Sequence, residues 1–194
     1  VRRVVLASTS RYRRELLARL LSDFAVDAPD VDETALAGES PRDIAIRLAS
    51  AKAHAVAARH PGSIIIGSDQ VAELDGRALG KPGSVEAARG QLEASSGKAV
   101  LFHTALCVVD LRDGTPLSGA AVDCTRVTFR TLDAATIARY VDIEKPLDCA
   151  GSFKCEGLGI ALFERIESTD PTALIGLPLI ALARLLREAG LILP

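Results

Sequence analysis

Residues 98–132, KAVLFHTALCVVDLRDGTPLSGAAVDCTRVTFRTL, constrain the fold more than any other stretch. Apolar and β-branched residues dominate on both sides of one turn signal, Arg112-Asp113-Gly114-Thr115, so the stretch reads as a hairpin of long strands. Any fold for this chain therefore has to include antiparallel sheet. Around the hairpin, strand and helix signals alternate. Val4 to Ala7 reads as a buried strand, and a helix follows from Arg11 to about Leu21. FAVDAPDVDET begins strand-like and becomes an acidic loop. Ser40, Pro41 and Asp43 mark a helix start that carries to about Arg59. SIIIGSDQV reads as a second buried strand with a Gly-Ser break, DGRALGKPGS as turns and SVEAARGQLEAS as a helix. After the hairpin come a short helix over Asp133–Val141, the Gly-rich CAGSFKCEGLG, the strand IALFERI and an amphipathic helix ending at Gly190. The pattern predicts an α/β fold, a mixed twisted sheet flanked by helices, as a single domain over 1–194.

Bulk composition narrows the function classes. The 194 residues are 48% apolar and 25% charged, which is globular composition and excludes a disordered chain. A net charge of −2 leaves no basic footprint for long nucleic acid. The four cysteines, Cys107, Cys124, Cys149 and Cys155, form no C-x-x-C pair and read as free thiols of a reducing compartment. No apolar run is long enough for a membrane span, and the apolar part of VRRVVLASTS is too short for a signal peptide. These features predict a cytoplasmic protein without a membrane partner.

The first helix carries an anomaly. Helices favour acidic residues in the first turn, where free N–H groups leave partial positive charge, yet this one opens with Arg11, Arg13 and Arg14. Leu16, Leu17, Leu20 and Leu21 define its buried stripe; Arg11, Glu15 and Arg19 project to the opposite side. Arg13 projects into the leucine stripe. An inward arginine needs a partner, and Ser8 and Ser10 place hydroxyls beside it. The group predicts a phosphate-binding site.

Asp69, in IIIGSD, falls where a buried strand ends, the place at which ligands of open α/β sheets bind. Lys52 lies at the edge of the apolar stripe made by Ile44, Leu48, Ala51 and Ala55, while Glu33 and Lys81 complete the charged candidates. GRALGKP is no P-loop: it is one residue short and has Pro where a hydroxyl must hold magnesium. His54, His60 and His103 are isolated and predict structural roles. Carboxylates with Lys, Arg and hydroxyls suit a hard divalent ion and a phosphate substrate, hence a metal-assisted phosphate-ester or anhydride hydrolase.

These residues also carry a family resemblance. LASTSRYRRELL, VDE, AKA, IIIGSDQV, GKP and KPLDCAGSFKCEGLGIALFERIESTDPTALIGLPLIAL together resemble the Maf family of nucleoside triphosphate pyrophosphatases over nearly the whole chain. GSDQV with CAGSFKCEGLGI resembles the branch that acts on 7-methyl-GTP. The resemblance implies two lobes around a nucleotide cleft, related to the Ham1 and ITPase folds. It also implies hydrolysis between the α and β phosphates with a divalent cation, Mg2+ or Mn2+. Carried over by position, Asp69 is the proton acceptor; Ser8, Ser10, Arg13, Lys52 and Lys81 bind phosphates; and Glu33 with Asp69 serves the metal. Tyr12, Gln70 and Lys154 fall where the family's branches set base specificity. Three positions depart from the pattern: Arg11 stands for Pro, Tyr12 for Trp and Cys155 for Ser. A small nucleotide is the implied partner, and a homodimer the implied assembly. The rival expectations are the same chemistry on dTTP, UTP or another non-standard triphosphate, and a non-catalytic nucleotide-binding regulator of cell division.

Overall fold

The computed structural model describes residues 2–111 and 117–194. The expected turn at 112–115 lies outside the described residues. The elements are β1 (Val4–Ala7), α1 (Arg11–Leu17), β2 (Ala25–Asp27), α2 (Pro41–Ala57), β3 (Ile64–Leu74), β4 (Arg77–Leu79) and α3 (Val85–Ser95). They continue with β5 (Ala99–Asp110), β6 (Leu117–Phe129), α4 (Ala134–Glu144), β7 (Phe163–Glu167) and α5 (Leu179–Glu188). The strands form one mixed sheet in the order β2-β1-β3-β5-β6-β7, with β4 on an edge of β3. β1 is parallel to β2 and β3, and the remaining pairs are antiparallel.

Three apolar clusters hold the layers together. Leu6, Ile64, Ile66, Leu106 and Val108 pack one sheet face against Leu16 and Leu17 of α1 and the leucines of α5. Val5, Ala7, Ile65 and Val109 pack the other face against α2. Past these layers, the far halves of the long strands run into a second body. There Phe102, Val127 and Phe129 meet α3, α4 and Phe153. Phe102, Phe129 and Phe163 surround Phe153 edge-to-face, with ring centroids 4.8–5.7 Å away.

Three expectations are corrected. The Gly-Ser step does not break β3, which runs unbroken for 11 residues. A Cβ on Gly67 would lie 2.3 Å from the Ala49 carbonyl oxygen, so the glycine lets α2 rest directly on the strand. And α1 is only seven residues long, because Ala18–Leu20 already form turns. RAL, expected as turn, is the short strand β4.

β1 accompanies β3 only as far as Gly67, and β4 joins the same edge only at Ala72. Between them, Ser68 to Val71 have no strand on that edge among the described residues, although β5 pairs with all four on the other side. Asp69, Gln70 and Val71 of this gap line a cleft.

Candidate active site

The cleft encloses about 820 Å3 and takes its lining from both bodies of the fold, including Leu48 of α2 and Phe153 of the second body. It has the size and mixed lining of a small-molecule site. Ser8, Ser10, Tyr12, Arg13, Glu33, Lys52, Asp69, Gln70 and Lys81 all line it. Chain segments up to 73 residues apart in sequence thus meet in one place.

Lys52 is the centre of the charged end. It lies on α2 one and two turns beyond Leu48 and Ile44, which seat the helix on the sheet. The same burial encloses the lysine, 6% exposed. Its Nζ lies 2.6 Å from Asp69 Oδ1 and 2.6 Å from Glu33 Oε1. An ammonium this deep requires such partners. The expected position at the edge of the stripe becomes full burial between two carboxylates.

Asp69 lies mid-strand rather than at a strand end, because β5 keeps pairing beyond the point where β1 stops. Burial raises its pKa, and Lys52 and Arg13 oppose that shift while Glu33 adds to it. Glu33, more open to solvent, is held below the usual carboxylate range by its hydrogen bond to Lys52, with Lys81 and Arg13 contributing.

Arg13 turns inward as its projection predicts. Its Nε donates to the Gly176 carbonyl at 2.8 Å. Burial lowers its pKa, and Asp69 and Glu33 oppose the loss of charge. Its terminal nitrogens make no hydrogen bond to a described residue and are free for an anion. Ser10 caps α1 by accepting from the Arg13 N–H at 3.4 Å, and Ser8 Oγ accepts from the Ser10 N–H at 3.1 Å. Neither hydroxyl donates to a described residue, and both residues line the cleft. With α1 so short, its dipole adds little, and side chains carry the positive charge here. Lys81 is exposed at the rim.

Tyr12, in the same lining, is half-buried, with Arg11 5.9 Å from its ring centroid. Lys154 does not line the cleft; its Nζ donates to the Glu144 carbonyl at the end of α4, 3.3 Å away. A helix C-terminus attracts an ammonium, and the 148–156 loop turns the side chain that way. Its neighbours Phe153, Cys155 and Glu156 line the cleft instead.

Sequence reading missed the Gly176 carbonyl, which accepts from both Arg13 Nε and Ser68 Oγ. A glycine between apolar residues in LIGLP, with φ of 125°, was its only signal. It also missed Asp148 and Glu156, whose carboxylates sit in a Gly-rich loop with no periodicity to place them. Of the histidines, His60 Nε2 pairs with Asp27 at 2.7 Å, His103 Nε2 with Glu73 at 2.6 Å, and His54 Nδ1 lies 2.9 Å from the Ser50 carbonyl oxygen. All four cysteines are free thiols.

Two carboxylates fit a hard cation that draws its remaining ligands from phosphate and water. No group of three His, Cys, Asp or Glu side chains able to hold an ion is present among the described residues. No helix among them is long and apolar enough to cross a membrane.

The cleft thus gathers Arg13, Lys52 and Lys81, two carboxylates and the aromatic ring of Tyr12 in one lining. Residues 3–189 match the family model described as Maf-like protein, and the chain belongs to the Maf family. It is 59% identical over 192 residues to the 7-methyl-GTP pyrophosphatase of Xanthomonas oryzae pv. oryzae, with 99% of each chain covered. It is 57% identical over 188 residues to the 7-methyl-GTP pyrophosphatase of Cupriavidus pinatubonensis, covering 97% of this chain and 94% of that one. Among solved structures it is similar to a HAM1 protein from Coxiella burnetii, with a TM-score of 0.47 and 19% identity, covering 97% and 100% of the two chains.

Proposed function

We propose that the protein is a nucleoside triphosphate pyrophosphatase that hydrolyses 7-methyl-GTP to 7-methyl-GMP and pyrophosphate. The observation that carries this reading is Asp69, a buried carboxylate in the cleft lining whose only side-chain hydrogen-bond partner among the described residues is a cation, Lys52 at 2.6 Å. A carboxylate so placed keeps lone pairs for a water or a metal ion. The names of relatives at 57–59% identity and near-complete coverage supply the substrate.

Arg13, Lys52 and Lys81, with the hydroxyls of Ser8 and Ser10, bind the triphosphate, and their charge meets the charge that develops on the phosphate oxygens. Asp69 orients a water and accepts its proton. The water oxygen forms a bond to the α-phosphorus, the bond from that phosphorus to the bridging oxygen breaks, and pyrophosphate leaves. Glu33 and Asp69 would hold Mg2+ or Mn2+, which supplies Lewis-acid polarisation and lowers the pKa of bound water. Lys52 engages one oxygen of each carboxylate, Asp69 Oδ1 and Glu33 Oε1, and the second oxygen of each is the one that would serve the ion. Tyr12 offers the base an electron-rich face, to which a ring made cationic by N7 methylation is drawn beyond ordinary stacking. Four free thiols support a cytoplasmic place of action.

Pyrophosphate release from a panel of 7-methyl-GTP, GTP, dTTP and UTP, each with and without Mg2+ or Mn2+, tests the reading. The expected result is metal-dependent release that is fastest with 7-methyl-GTP. Equal rates on dTTP and 7-methyl-GTP overturn the substrate, and full activity in excess chelator overturns the metal.

A further inference from the structure

The loop that carries Glu33 has no core of its own. Residues 28–40, between β2 and α2, form neither helix nor strand, and none of them is buried. Leu36, the bulkiest apolar side chain among them, is 60% exposed. Apolar packing therefore fixes little of the loop, and polar bonds have to hold it. Its placement matters all the same, because Pro29, Glu33 and Ala35 line the cleft. At its start, Arg59 Nη2 donates to the Ala28 carbonyl at 2.8 Å. From residue 29 to 38, Lys52 and Arg47 are the only residues outside the loop that hydrogen-bond to it, among the described residues.

Arg47 supplies the bond beside Glu33. Its Nη2 donates to the carbonyl of Thr34, the next residue, at 3.1 Å. The same guanidinium forks onto Glu39 near the loop's end, Nε to Oε1 at 2.6 Å and Nη2 to Oε2 at 2.8 Å. Glu39 Oε2 also accepts from the Leu36 N–H at 3.0 Å, which closes a small network across residues 34–39. A two-point fork fixes the plane of the guanidinium, so its third bond is aimed as well. Arg47 is absent from the cleft lining, and it stands on α2 five residues before Lys52, about 7.5 Å of helix rise away. One rigid helix thus holds Glu33 twice, by its carboxylate at Lys52 and by the neighbouring backbone at Arg47.

Resting on the pyrophosphatase reading above, we propose that Arg47 is a positioning residue, which by clamping Glu39 and the Thr34 carbonyl presents the Glu33 carboxylate to Lys52 and the cleft. It acts through Glu33 and touches no substrate. A different role would run through charge alone, since Asp32 and Asp69 also lie within electrostatic reach of Arg47. Arg47→Lys separates the two, because it keeps the charge and loses the planar fork.

A double-mutant cycle on pyrophosphate release from 7-methyl-GTP tests this. Arg47→Ala keeps a strong helix former in α2, so the thermal midpoint should stay within a few degrees of the wild type's. Its kcat/KM should fall about 10- to 100-fold, the range for losing a group that orients a carboxylate of the site. Made in Glu33→Gln, the same substitution should cost less than about twofold, because no carboxylate remains to be positioned. Arg47→Lys should restore only part of the loss. Amide exchange adds a readout that needs no turnover: the Thr34 and Leu36 N–H groups should exchange several times faster in Arg47→Ala. Wild-type kcat/KM in Arg47→Ala, full recovery in Arg47→Lys, unchanged exchange, or a penalty as large in Glu33→Gln as in the wild type each overturns the inference. Failure of the parent reading is a different result, no pyrophosphate release from 7-methyl-GTP by the wild type, and exchange then still tests the clamp.

Discussion

Asp69 and Asp170 are two buried carboxylates, 7% and 4% exposed, that do opposite work. Asp170 accepts from the Thr172 N–H at 2.9 Å, the Thr172 hydroxyl at 2.6 Å and the Ile180 N–H at 2.7 Å. With Thr172 Oγ1, which accepts from the Leu179 N–H at 2.9 Å, it satisfies free N–H groups that open α5, whose own cap residue, Pro178, has no polar side chain to accept from them. Neutral donors saturate it, and the 170–176 segment it pins carries the Gly176 carbonyl that orients Arg13. Asp69 receives no neutral donor to its side chain among the described residues; a lysine alone faces it. The difference teaches that burial of a carboxylate says little about function until its partners are counted by kind. Saturation by backbone and hydroxyl donors builds structure, whereas a single exchangeable cation leaves room for chemistry.

The largest test of that contrast is Asp69→Asn. Turnover should fall about 10³-fold, within the range for losing a general base, with the thermal midpoint kept within a few degrees. Unchanged turnover breaks the contrast outright. Asp170→Asn should reverse the pattern. An amide there sets an N–H against a backbone donor, and urea unfolding should report a loss of about 3 kcal/mol, with turnover of the folded fraction reduced far less. A stable Asp170→Asn that is inactive would make both carboxylates catalytic. Gly67→Ala sharpens the comparison from the other side. Its Cβ would meet the Ala49 carbonyl oxygen at 2.3 Å and the Ala53 nitrogen at 2.7 Å, so α2 has to move away, taking Lys52 from Asp69. We expect about 2 kcal/mol of destabilisation and an activity loss larger than that accounts for. Normal activity would show that the Lys52–Asp69 approach is dispensable.

The smallest effect is in acid. Asp27, hydrogen-bonded by Arg59 and His60, and Glu39, hydrogen-bonded by Arg47 and the Leu36 N–H, are both lowered to about 2. A carboxyl whose pKa is lower folded than unfolded contributes stability that is full above the unfolded value and fades as pH falls toward the folded one. Stability should therefore decline between about pH 4 and 2 partly through these two groups. Asp69, with its pKa raised, has the opposite sign and is relieved by protonation. Asp27→Asn and Glu39→Gln should each flatten the acid limb slightly in urea titrations at pH 2.5 and 5. A limb as steep as the wild type's in both would assign the acid sensitivity elsewhere.

Much of this site was readable before any coordinates. Arg13 broke the leucine period of its helix, and Asp69 followed three isoleucines, so each charge stood out against a pattern. Lys52 was half legible, because the helix period put it near the apolar face but could not show the two carboxylates that bury it. The unbroken β3 was not legible, since a Gly-Ser step reads as a break unless the helix pressing on it is known. Lys154 and the Gln70 amide were beyond reach for a related reason. Their directions are set by the end of α4 and by the carbonyls of residues 173 and 174, partners far away in sequence.

Alternation along β3 has one more consequence. Neighbouring residues of a strand point to opposite sides and stand a fixed 3.2–3.4 Å apart along it. Asp69 and Gln70 occupy adjacent positions, so the proposed proton acceptor and the next cleft-lining side chain are rungs of the same ladder, joined by one peptide. An exchange at residue 70 leaves the backbone position of Asp69 unchanged. An insertion of a single residue in β3 before Asp69 would turn both side chains around together, whereas one between them would turn Gln70 alone.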